Sequence, residues 1–349
     1  MKVFCVIMAG GGGTRFWPVS REKKPKQLLD LDGKGLMINQ TADRLKNLSE
    51  GLYVVTAKEQ AESLKKATAG RILPQNVIVE PSKKNTAACI GYAAVRIIKE
   101  HGDGIMVVSP SDAYVKDQKE YVKTFNTAIE GAKKGGLFTI GIKPTFPATG
   151  YGYIKSIGDG EIKKVERFVE KPDYITAEKY LKSGDYLWNS GVFVWKASVI
   201  LEEIKKYIPE LYDGLKLIEK SPIDKQSFAA EEAYKIIPSI SIDYGVMEKT
   251  QNAFVVAGDF GWSDVGSFDT LSDMVGKDEN GNVVRGNAIL KDTADSVIYS
   301  EKRLIATLGL KDVIVVETDD AVLVCDKSRA QEIKSIVEIL KEKGYNDLI

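Results

Sequence analysis

A glycine-rich run near the start of the chain carries residue types that suit phosphate binding. Gly10–Gly13 follows Val3–Met8, an apolar segment with the composition of a buried strand, with only Ala9 between them. Glycine has no Cβ and adopts positive φ readily, so such a backbone can turn sharply and come close to a bound group. Successive N–H groups in such a turn form an anion nest. Arg15 and Lys26 add two positive charges, and the combination suits a triphosphate.

The run matches neither of two widespread nucleotide-binding motifs. No Gly-Lys-Ser/Thr follows at the P-loop spacing. A dinucleotide fingerprint needs small residues where its helix begins, and Arg15–Pro18 fill that place here. Glycine-rich turns are also common where no ligand binds, so the glycines alone do not distinguish a phosphate-binding loop from a purely structural turn.

Two separated aspartates offer a second kind of chemistry. Asp112 follows the apolar segment Ile105–Val108, and Asp264 lies in Gly261–Gly266. Two carboxylates on loops could hold one Mg²⁺, a hard ion that prefers oxygen ligands and usually bridges to substrate phosphates. Taken singly, an aspartate after a strand is more often a turn or helix cap, so both interpretations stay open on this evidence.

Composition excludes several other chemistries. His101 is the only histidine and is expected in a surface turn, which argues against histidine-dependent nucleophilic catalysis and multi-histidine metal sites. Cys5, Cys89 and Cys325 are far apart in apolar settings, a pattern that favours reduced thiols and a cytoplasmic location. Lys+Arg and Asp+Glu both number 49, so no net charge would attract nucleic acid or an anionic membrane. Catalysis would therefore rely on carboxylates, cations and backbone dipoles.

The elements that position these residues alternate between strand and helix. Predicted strands are Val3–Met8, Leu52–Thr56, Val77–Val79, Ile105–Val108 and Leu137–Ile142. Predicted helices are Met37–Leu48, Lys58–Ala67, Thr86–Lys99 and Lys119–Lys133. This alternation predicts an α/β, Rossmann-like fold with a mixed, mostly parallel sheet flanked by helices. Because ligands bind beyond the carboxyl ends of such strands, we expect Gly10–Arg15, Glu80–Pro81 and Pro110–Asp112 on one rim.

The second half of the chain has a looser pattern. Predicted strands are Gly152–Ser156, Lys164–Val169 and Trp188–Trp195, with helices at Thr176–Ser183 and Ala197–Tyr207. After the turn-rich segment Gly276–Asn282 come short strands at Asn287–Leu290, Ser296–Tyr299, Leu304–Leu308, Val313–Glu317 and Ala321–Cys325, then a helix from about Arg329 to Lys343. We therefore predict a catalytic domain at 1–280 and a small C-terminal β domain at 281–349.

Several motifs together resemble a known enzyme family. Thr14-Arg15, Trp17-Pro18 and Pro25-Lys26-Gln27, joined to the glycine run, resemble the signature of nucleotidyltransferases that act on sugar 1-phosphates. Phe16-Trp17-Pro18 is similar to the mannose-1-phosphate guanylyltransferase branch. The resemblance implies transfer of GMP from GTP to mannose 1-phosphate, giving GDP-mannose and diphosphate. It also implies in-line attack assisted by Mg²⁺, without a covalent intermediate.

The resemblance assigns roles to individual residues. It implies catalytic roles for Arg15, Lys26, Asp112, Lys171 and Asp264, with Asp112 and Asp264 as metal ligands. It implies nucleotide contacts at Ala9, Gly10, Gly11, Gly13, Thr14, Arg15, Lys26, Glu80, Pro81, Asn85, Thr86, Pro110 and Ser111. It implies sugar-phosphate contacts at Tyr151, Gly152, Glu170, Lys171 and Asn189. Many relatives have histidine where this chain has Ala113, which puts any supporting role of that imidazole in doubt.

Some of these residues also have a structural interpretation. Asn85 and Thr86 are candidate N-caps of the following helix. Asp243 lies in Ser239–Lys249, a segment that also resembles the family; it could cap a helix or line the sugar site, and capping is favoured. Glu80 differs, because guanine presents adjacent N1–H and N2–H₂ donors that an acceptor-only carboxylate can bind. We also expect Phe16 and Trp17 to anchor the glycine loop in the core.

A few further expectations complete the prediction. Lys83 and Lys84 should be solvated, and Tyr153 is interpreted as a sheet aromatic. By resemblance, the C-terminal domain would be a short left-handed β-helix, although no clean hexapeptide repeat is present. The chain is expected to lack the cupin-type isomerase domain of bifunctional relatives. Its oligomeric state is left open, with a homodimer as one alternative.

Alternative functions remain at this point. The chain could be a heptose-1-phosphate guanylyltransferase or a glucose-1-phosphate thymidylyltransferase. The motifs Phe16-Trp17-Pro18 and Trp188-Asn189-Ser190-Gly191 disfavour the second. It could also be a non-catalytic regulatory paralogue that binds a nucleotide sugar. The joint presence of Arg15, Lys26, Asp112, Lys171 and Asp264 argues against that last alternative.

Overall fold

The computed structural model describes residues 1–349 and is built around a nine-stranded sheet. The strands of the chain up to residue 263 are β1 (Val3–Ala9), β2 (Gly51–Ala57), β3 (Val77–Glu80), β4 (Ile105–Pro110), β5 (Tyr114–Val115), β6 (Leu137–Ile142), β7 (Tyr153–Ile157), β8 (Ile162–Val169), β9 (Tyr186–Lys196), β10 (Ala253–Gly258) and β11 (Trp262–Ser263). The helices are α1 (Met37–Lys46), α2 (Ala61–Ala67), α3 (Asn85–His101), α4 (Gln118–Ala132), α5 (Tyr174–Ser183), α6 (Ala197–Tyr207), α7 (Pro209–Lys220), α8 (Gln226–Ile236), α9 (Ser272–Val275) and α10 (Ile333–Glu342). No helix is both long enough and apolar enough to cross a membrane.

The large sheet is mixed, with most of its strands running in one direction. Its order is β3-β2-β1-β4-β9-β6-β10-β8-β7. The pairs β3–β2, β2–β1, β1–β4 and β6–β10 are parallel, whereas β9 and β8 run against their neighbours. The prediction of a mixed, mostly parallel sheet is therefore confirmed.

Both faces of the sheet are covered. Along β1, Val6 faces a core built with α3, α6, α7 and α8, while Cys5 and Ile7 face a core built with α1, α2 and α4. Successive side chains of a strand point to opposite faces, so a strand buried on both sides must be continuously apolar. This explains why β1 has the composition of a buried strand from end to end.

The C-terminal part forms a short parallel coil. Its strands are β12 (Val283–Arg285), β13 (Ala288–Lys291), β14 (Val297–Ser300), β15 (Ile305–Leu308), β16 (Val313–Glu317) and β17 (Val322–Asp326). The strands β12, β14 and β16 pair in parallel on one side, and β13 pairs with β15 on another. Val283 pairs with Val297 and Val297 with Ile314, so the coil advances by 14 and then 17 residues. That unequal advance explains the lack of a clean hexapeptide repeat; left-handedness of the coil stays a prediction.

The sequence prediction missed three elements of the large sheet and its cover. Helices α7 and α8 and strand β10 were not predicted, although β10 lies between β6 and β8 inside the sheet. The short strand β12 was missed as well. His101 is exposed as expected, but it ends α3, stacks on Phe4 with ring centroids 4.6 Å apart, and lies 2.8 Å from the Tyr53 hydroxyl.

Candidate active site

A cavity of about 500 Å³ opens at the carboxyl ends of the parallel strands. Gly10 follows β1, Glu80 ends β3 and Pro110 ends β4, and all three line it. Strand β9 runs the opposite way, so Asn189, near its start, lies at the same rim. The expected rim is therefore formed, because strand direction brings chain-distant segments to one edge.

The glycine loop is held from below by amide side chains. Gln27 Nε2 donates to the carbonyl oxygens of Ala9 at 3.2 Å and Gly11 at 3.3 Å, and to Gln60 Oε1 at 3.0 Å. Gln60 Nε2 also donates to Gly11 O at 3.3 Å. Both glutamines are buried, so this pair fixes the path of the loop as it leaves β1.

Only one glycine of the run has positive φ. Gly13 has a φ of 65°, and a Cβ there would lie 2.4 Å from the Cβ of Lys26. By contrast, a Cβ on Gly10, Gly11 or Gly12 would meet no atom of the chain within 4 Å. The protein's own packing thus requires glycine at position 13, whereas the other three leave room for close approach of a ligand to the backbone.

The aromatic residues after the glycine loop anchor it in the core, as expected. Phe16 is fully buried and packs on Phe268 with ring centroids 4.9 Å apart. Trp17 Nε1 donates to the carbonyl oxygen of Leu348 at 2.7 Å. Arg15, on the short helical turn between glycine and phenylalanine, is exposed, so its guanidinium is free to meet an anion above the loop.

A two-stranded ribbon brings the two aspartates together. Strands β5 and β11 pair antiparallel, with Ser263 opposite Tyr114, so Asp112 and Asp264 lie at the same end of the ribbon. Lys26 Nζ bridges the two segments, 2.9 Å from Asp112 Oδ2 and 2.6 Å from the backbone oxygen of Asp264. The Lys26 side chain is only 7 % exposed, so its cation is held between the aspartate segments.

The carboxyl group of Asp264 is held by a tyrosine. Tyr151 donates its hydroxyl to Asp264 Oδ1 at 2.6 Å, and its ring packs edge-on against Trp188 and Trp262. Burial raises the pKa of Asp264, although the Tyr151 hydrogen bond and the charge of Lys26 oppose that rise. Burial and the Asp264 charge raise the pKa of Tyr151, so its hydroxyl stays protonated and fixes the carboxylate's orientation.

The donor set suits a hard cation that keeps several other ligands. The Asp112 and Asp264 carboxylates and the Asp264 backbone oxygen supply only oxygen atoms, and a cation, Lys26, already lies among them. Among residues 1–349, no group of three or more His, Cys, Asp or Glu side chains is placed to hold a metal ion. Two carboxylates fit Mg²⁺, which usually takes its remaining ligands from water and substrate phosphates.

One residue of the cavity lining has a buried carboxyl oxygen without a hydrogen-bond partner. Glu170 follows β8, and its Oε2 is buried and has no partner in the chain. A Cβ on Gly152 would lie 2.6 Å from that oxygen, so glycine at 152 avoids a clash with the Glu170 carboxyl group. Lys171, with a φ of 46°, places Nζ 2.9 Å from Glu170 Oε1. Although desolvation opposes it, the Glu170 carboxylate raises the pKa of Lys171.

Asp243 faces the cavity rather than capping a helix, which corrects the sequence interpretation. It begins a π-helical turn, and its side chain caps no backbone N–H there. Instead, Asp243 Oδ1 accepts from Asn189 Nδ2 at 2.9 Å. Asn189 Oδ1 in turn accepts from Thr139 Oγ1 at 3.0 Å. Burial, and then the charge of Glu170, raise the pKa of Asp243.

Glu80 is a further polar residue of the cavity lining. Its side chain lines the cavity, and Oε1 accepts the hydroxyl of Tyr234 from α8 at 2.9 Å. Burial raises the pKa of Glu80 to about 7, although the Tyr234 hydrogen bond opposes the rise. The tyrosine orients the carboxyl group and leaves Oε2 for a ligand.

Residues at the start of α3 line the cavity together with Glu80. Asn85 has a φ of 66° and accepts from the N–H of Thr86 at 2.8 Å. Thr86 Oγ1 accepts from the Ile242 N–H at 2.8 Å. Lys84 Nζ donates to the Ile237 carbonyl oxygen at 2.9 Å. Lys84 is therefore tied to the protein rather than solvated, which corrects the expectation, whereas Lys83 is exposed.

The structure separates the expected residues into two groups. Those that line the cavity are Gly10, Gly11, Glu80, Asn85, Thr86, Pro110, Tyr151, Gly152, Glu170, Asn189 and Asp264. Those outside its lining are Ala9, Gly13, Thr14, Arg15, Lys26, Pro81, Ser111, Asp112 and Lys171. Ala9 and Ser111 are buried within the rim, and Tyr153 is a buried sheet aromatic, as expected.

Several residues of the site were missed from the sequence. Gln60 and Tyr234 carried no motif, and each meets its partner only through the fold, 49 residues from Gly11 and 154 residues from Glu80. Gln27 lay inside a recognised motif, so its position next to Lys26 could have suggested a role. Asp243 also lay in a recognised segment and was assigned to capping.

Comparison with known proteins places the chain in a family. A sequence model described as nucleotidyl transferase matches residues 4–281, and one described as a mannose-phosphate isomerase/GMP-like beta-helix domain matches 286–340. The chain therefore belongs to the nucleotidyl transferase family, with an α/β fold and a C-terminal β-rich part, as the sequence predicted.

Named relatives cover almost the whole chain. A putative mannose-1-phosphate guanylyltransferase of Vibrio cholerae is 42% identical over 97% of this chain and 74% of its own length. A mannose-1-phosphate guanylyltransferase of Escherichia coli is 39% identical over 99% of this chain and 75% of its own length. A crystal structure from Thermus thermophilus, described as a mannose-1-phosphate geranyltransferase, has a TM-score of 0.89 and 33% identity, covering 98% of this chain and all of its own.

Proposed function

We propose that this protein transfers GMP from GTP to mannose 1-phosphate, giving GDP-mannose and diphosphate. The observation that supports it most is that one cavity of about 500 Å³ is lined both by residues expected to bind the nucleotide and by residues expected to bind the sugar phosphate. Gly10 and Glu80 line one part, and Glu170 and Asn189 line another. The name and 39% identity of the Escherichia coli relative support the choice of substrates.

The reaction needs positioning and charge compensation more than covalent chemistry. An oxygen of the sugar phosphate attacks the α-phosphorus of GTP, a new P–O bond forms, and the bond to diphosphate breaks with diphosphate as leaving group. Holding two anions in line lowers the entropic part of the barrier, and fixed cations stabilise the developing charge. Arg15 and the glycine-loop amides would hold the β- and γ-phosphates, and Lys171 would steer the sugar phosphate.

Asp112 and Asp264 would hold Mg²⁺. When bound, the ion supplies Lewis-acid stabilisation of phosphate oxygens. Lys26 keeps the two aspartate segments together through its bonds to both, and Tyr151 keeps the Asp264 carboxylate oriented. The protein thus presents a preformed set of oxygen ligands, which avoids reorganisation at the moment of reaction.

Two carboxyl groups would select the substrates. The unpartnered Oε2 of Glu170 would accept a hydrogen bond from a sugar hydroxyl, since a buried acceptor without a partner costs stability until a ligand satisfies it. Glu80 Oε2 would accept from guanine. The three free cysteines are typical of a reducing compartment and support a cytoplasmic location.

The test is a diphosphate-release assay across substrate pairs. GTP, dTTP, UTP and ATP would each be combined with mannose 1-phosphate and with glucose 1-phosphate, with and without Mg²⁺. The GTP and mannose 1-phosphate pair should give the highest kcat/KM, and chelation of the metal should abolish turnover. A preference for dTTP or for glucose 1-phosphate would overturn the substrate assignment, and binding without any turnover would favour a non-catalytic protein.

A further inference from the structure

Two of the loops that carry charged active-site residues, those of Arg15 and Asp264, pack in one apolar cluster with the C-terminal region. Phe16, next to Arg15, and Val265, next to Asp264, are fully buried. They belong to one apolar cluster with side chains from β12, β14, β16 and α10. Each charged residue is therefore one position away from a side chain that is fixed by the C-terminal coil and helix.

Two hydrogen bonds add to this packing between the loops and the C-terminal region. Trp17 Nε1 donates to the carbonyl oxygen of Leu348 at 2.7 Å, joining the arginine loop to the end of the chain. Gln331 Nε2 donates to Ser267 Oγ at 2.6 Å, joining the aspartate loop to the turn before α10. Each loop thus has at least one directional contact with the C-terminal region in addition to its apolar packing, and Arg21 adds a second donor to the Leu348 carbonyl oxygen.

The backbone beside Asp264 needs such a support. Val265 has a φ of 46°, and a β-branched residue in the left-handed region is strained. Such a conformation persists only when the surroundings determine it. Val265 lies in an apolar cluster to which β12, β14, β16 and α10 contribute side chains, so the coil and helix help to fix the direction in which the neighbouring carboxylate points.

We propose that the C-terminal coil and helix position the residues that bind the triphosphate and the metal. Trp17 and Gln331 are the positioning residues that connect them to those loops. They act on GTP and the metal through Arg15 and Asp264, and less strongly on the sugar end, which is joined to Asp264 through Tyr151. This inference rests on the proposed function, because it takes Arg15 and Asp264 to face the nucleotide phosphates and the metal.

The test compares two positioning variants with a matched control. Trp17→Phe keeps an aromatic ring but removes the N–H donor, and Gln331→Met keeps the length but removes the amide. Thr307→Val is the control, because it removes a buried hydroxyl contact of 2.9 Å with Thr293 inside the same coil. All are assayed in the full chain at a temperature where circular dichroism shows each to be folded.

The measurements separate positioning from general stability. For each variant we would determine kcat, the KM values of both substrates, the Mg²⁺ concentration for half-maximal rate, and the calorimetric Kd of GTP with and without Mg²⁺. Trp17→Phe and Gln331→Met should each lower kcat/KM for GTP by about tenfold or more, since small misplacements of catalytic groups have large effects. The Mg²⁺ requirement should rise, and the KM of mannose 1-phosphate should change much less than the KM of GTP.

Two results would overturn the inference. One is wild-type kinetics in both variants despite a lowered Tm, and the other is the same kinetic loss in Thr307→Val at equal Tm. The proposed function fails separately, if the wild-type chain releases no diphosphate from GTP. The Kd values still test the positioning in that case, because a Mg²⁺-dependent GTP affinity that is unaltered in both variants, or absent from the wild type, also contradicts it.

Discussion

Three carboxyl groups of the site are each held by an uncharged donor from a distant part of the chain. Tyr151 donates to Asp264, Tyr234 to Glu80, and the amide of Asn189 to Asp243. A neutral donor orients a carboxylate without cancelling its charge, so the group keeps its ability to bind a cation or accept from a ligand. The pKa of each of these carboxyl groups is raised by burial.

Asp264→Asn should fold but lose most of its activity. The amide keeps the size of the side chain and can still accept from Tyr151, but it removes the charge that would hold a metal ion. Removal of such electrostatic stabilisation usually lowers kcat by about 10²-fold or more. The measurement is diphosphate release at saturating substrates over a Mg²⁺ titration, and near-normal turnover at high Mg²⁺ would refute the assignment of Asp264 as ligand.

Asp112→Asn serves as the companion variant. Because both aspartates would act on one ion, the double variant should lose little more activity than either single one. Full additivity of the two effects would indicate that the aspartates act independently.

Glu80→Gln should narrow the preference for GTP. The new amide places a donor where a guanine N–H would meet it, and a buried donor left unpaired costs about 1–3 kcal/mol. Thymine and uracil offer carbonyl oxygens that can accept from that amide. We would measure kcat/KM for GTP, dTTP and UTP with mannose 1-phosphate saturating. An unchanged ratio of GTP to dTTP would mean that Glu80 does not select the base.

Glu80 also predicts a dependence of stability on pH. Burial raises its pKa from 4.5, the value of an exposed glutamate in the unfolded chain, to about 7 in the folded protein. Its contribution to stability is therefore fully present below about pH 4.5 and is lost as the pH rises through 7. Glu80→Gln cannot ionise, so its Tm relative to wild type should increase between pH 5 and pH 8. A difference in Tm that is constant across this range would contradict the raised pKa.

At the scale of elements, the rim could be predicted because it depends on strand order and direction. Five apolar strands alternating with helices were enough to place Gly10, Glu80 and Pro110 at one edge. The ribbon of β5 and β11 was beyond reach, since two-residue strands have no periodicity. Yet this ribbon pairs Tyr114 with Ser263 and thereby brings the two aspartates together.

The missed helices show a limit of a different kind. Helix α7 begins with Pro209 and buries Leu211, Leu215 and Ile218, a spacing of four and three residues that fits one helix face. That signal was present in the sequence. Helix α8 buries two alanines and Tyr234, and small residues give a weak periodic pattern, so its contact with Glu80 could not be foreseen.

Gly13→Ala and Gly12→Ala should separate packing from ligand approach. At position 13 the new Cβ would meet Lys26 Cβ at 2.4 Å with φ at 65°, whereas at position 12 it meets nothing within 4 Å. Gly13→Ala should therefore lower the free energy of unfolding by about 1–3 kcal/mol and reduce activity. Gly12→Ala should keep wild-type stability but raise the KM for GTP. Thermal denaturation and GTP titrations test this, and an unaltered KM in Gly12→Ala would show that the nucleotide does not approach that backbone.

At the scale of the whole molecule, the site is assembled from segments that span the chain. Its motifs could be predicted because each is a local pattern, and the resemblance fixed their order. Their connections could not, since Lys26 reaches Asp264 across 238 residues and Trp17 reaches Leu348 across 331. Such contacts depend on how the C-terminal coil packs on the sheet, and no local signal in the sequence records that.

The shared apolar cluster predicts that the large sheet and the C-terminal coil unfold together. Phe16 and Leu29 from the first part of the chain pack with Val316 and Ile333 from the last part in one buried core, so neither part can open without exposing the other. Calorimetry should show one transition, coincident by far-UV circular dichroism and tryptophan fluorescence. Val316→Ala should move that whole transition to lower temperature, because it creates a cavity in the shared core. Val6→Ala, in the sheet core, should move the same single transition in the same direction. Two calorimetric peaks, with only the lower one shifted by Val316→Ala, would show that the coil is an independent unit and that its hold on the arginine and aspartate loops is weak.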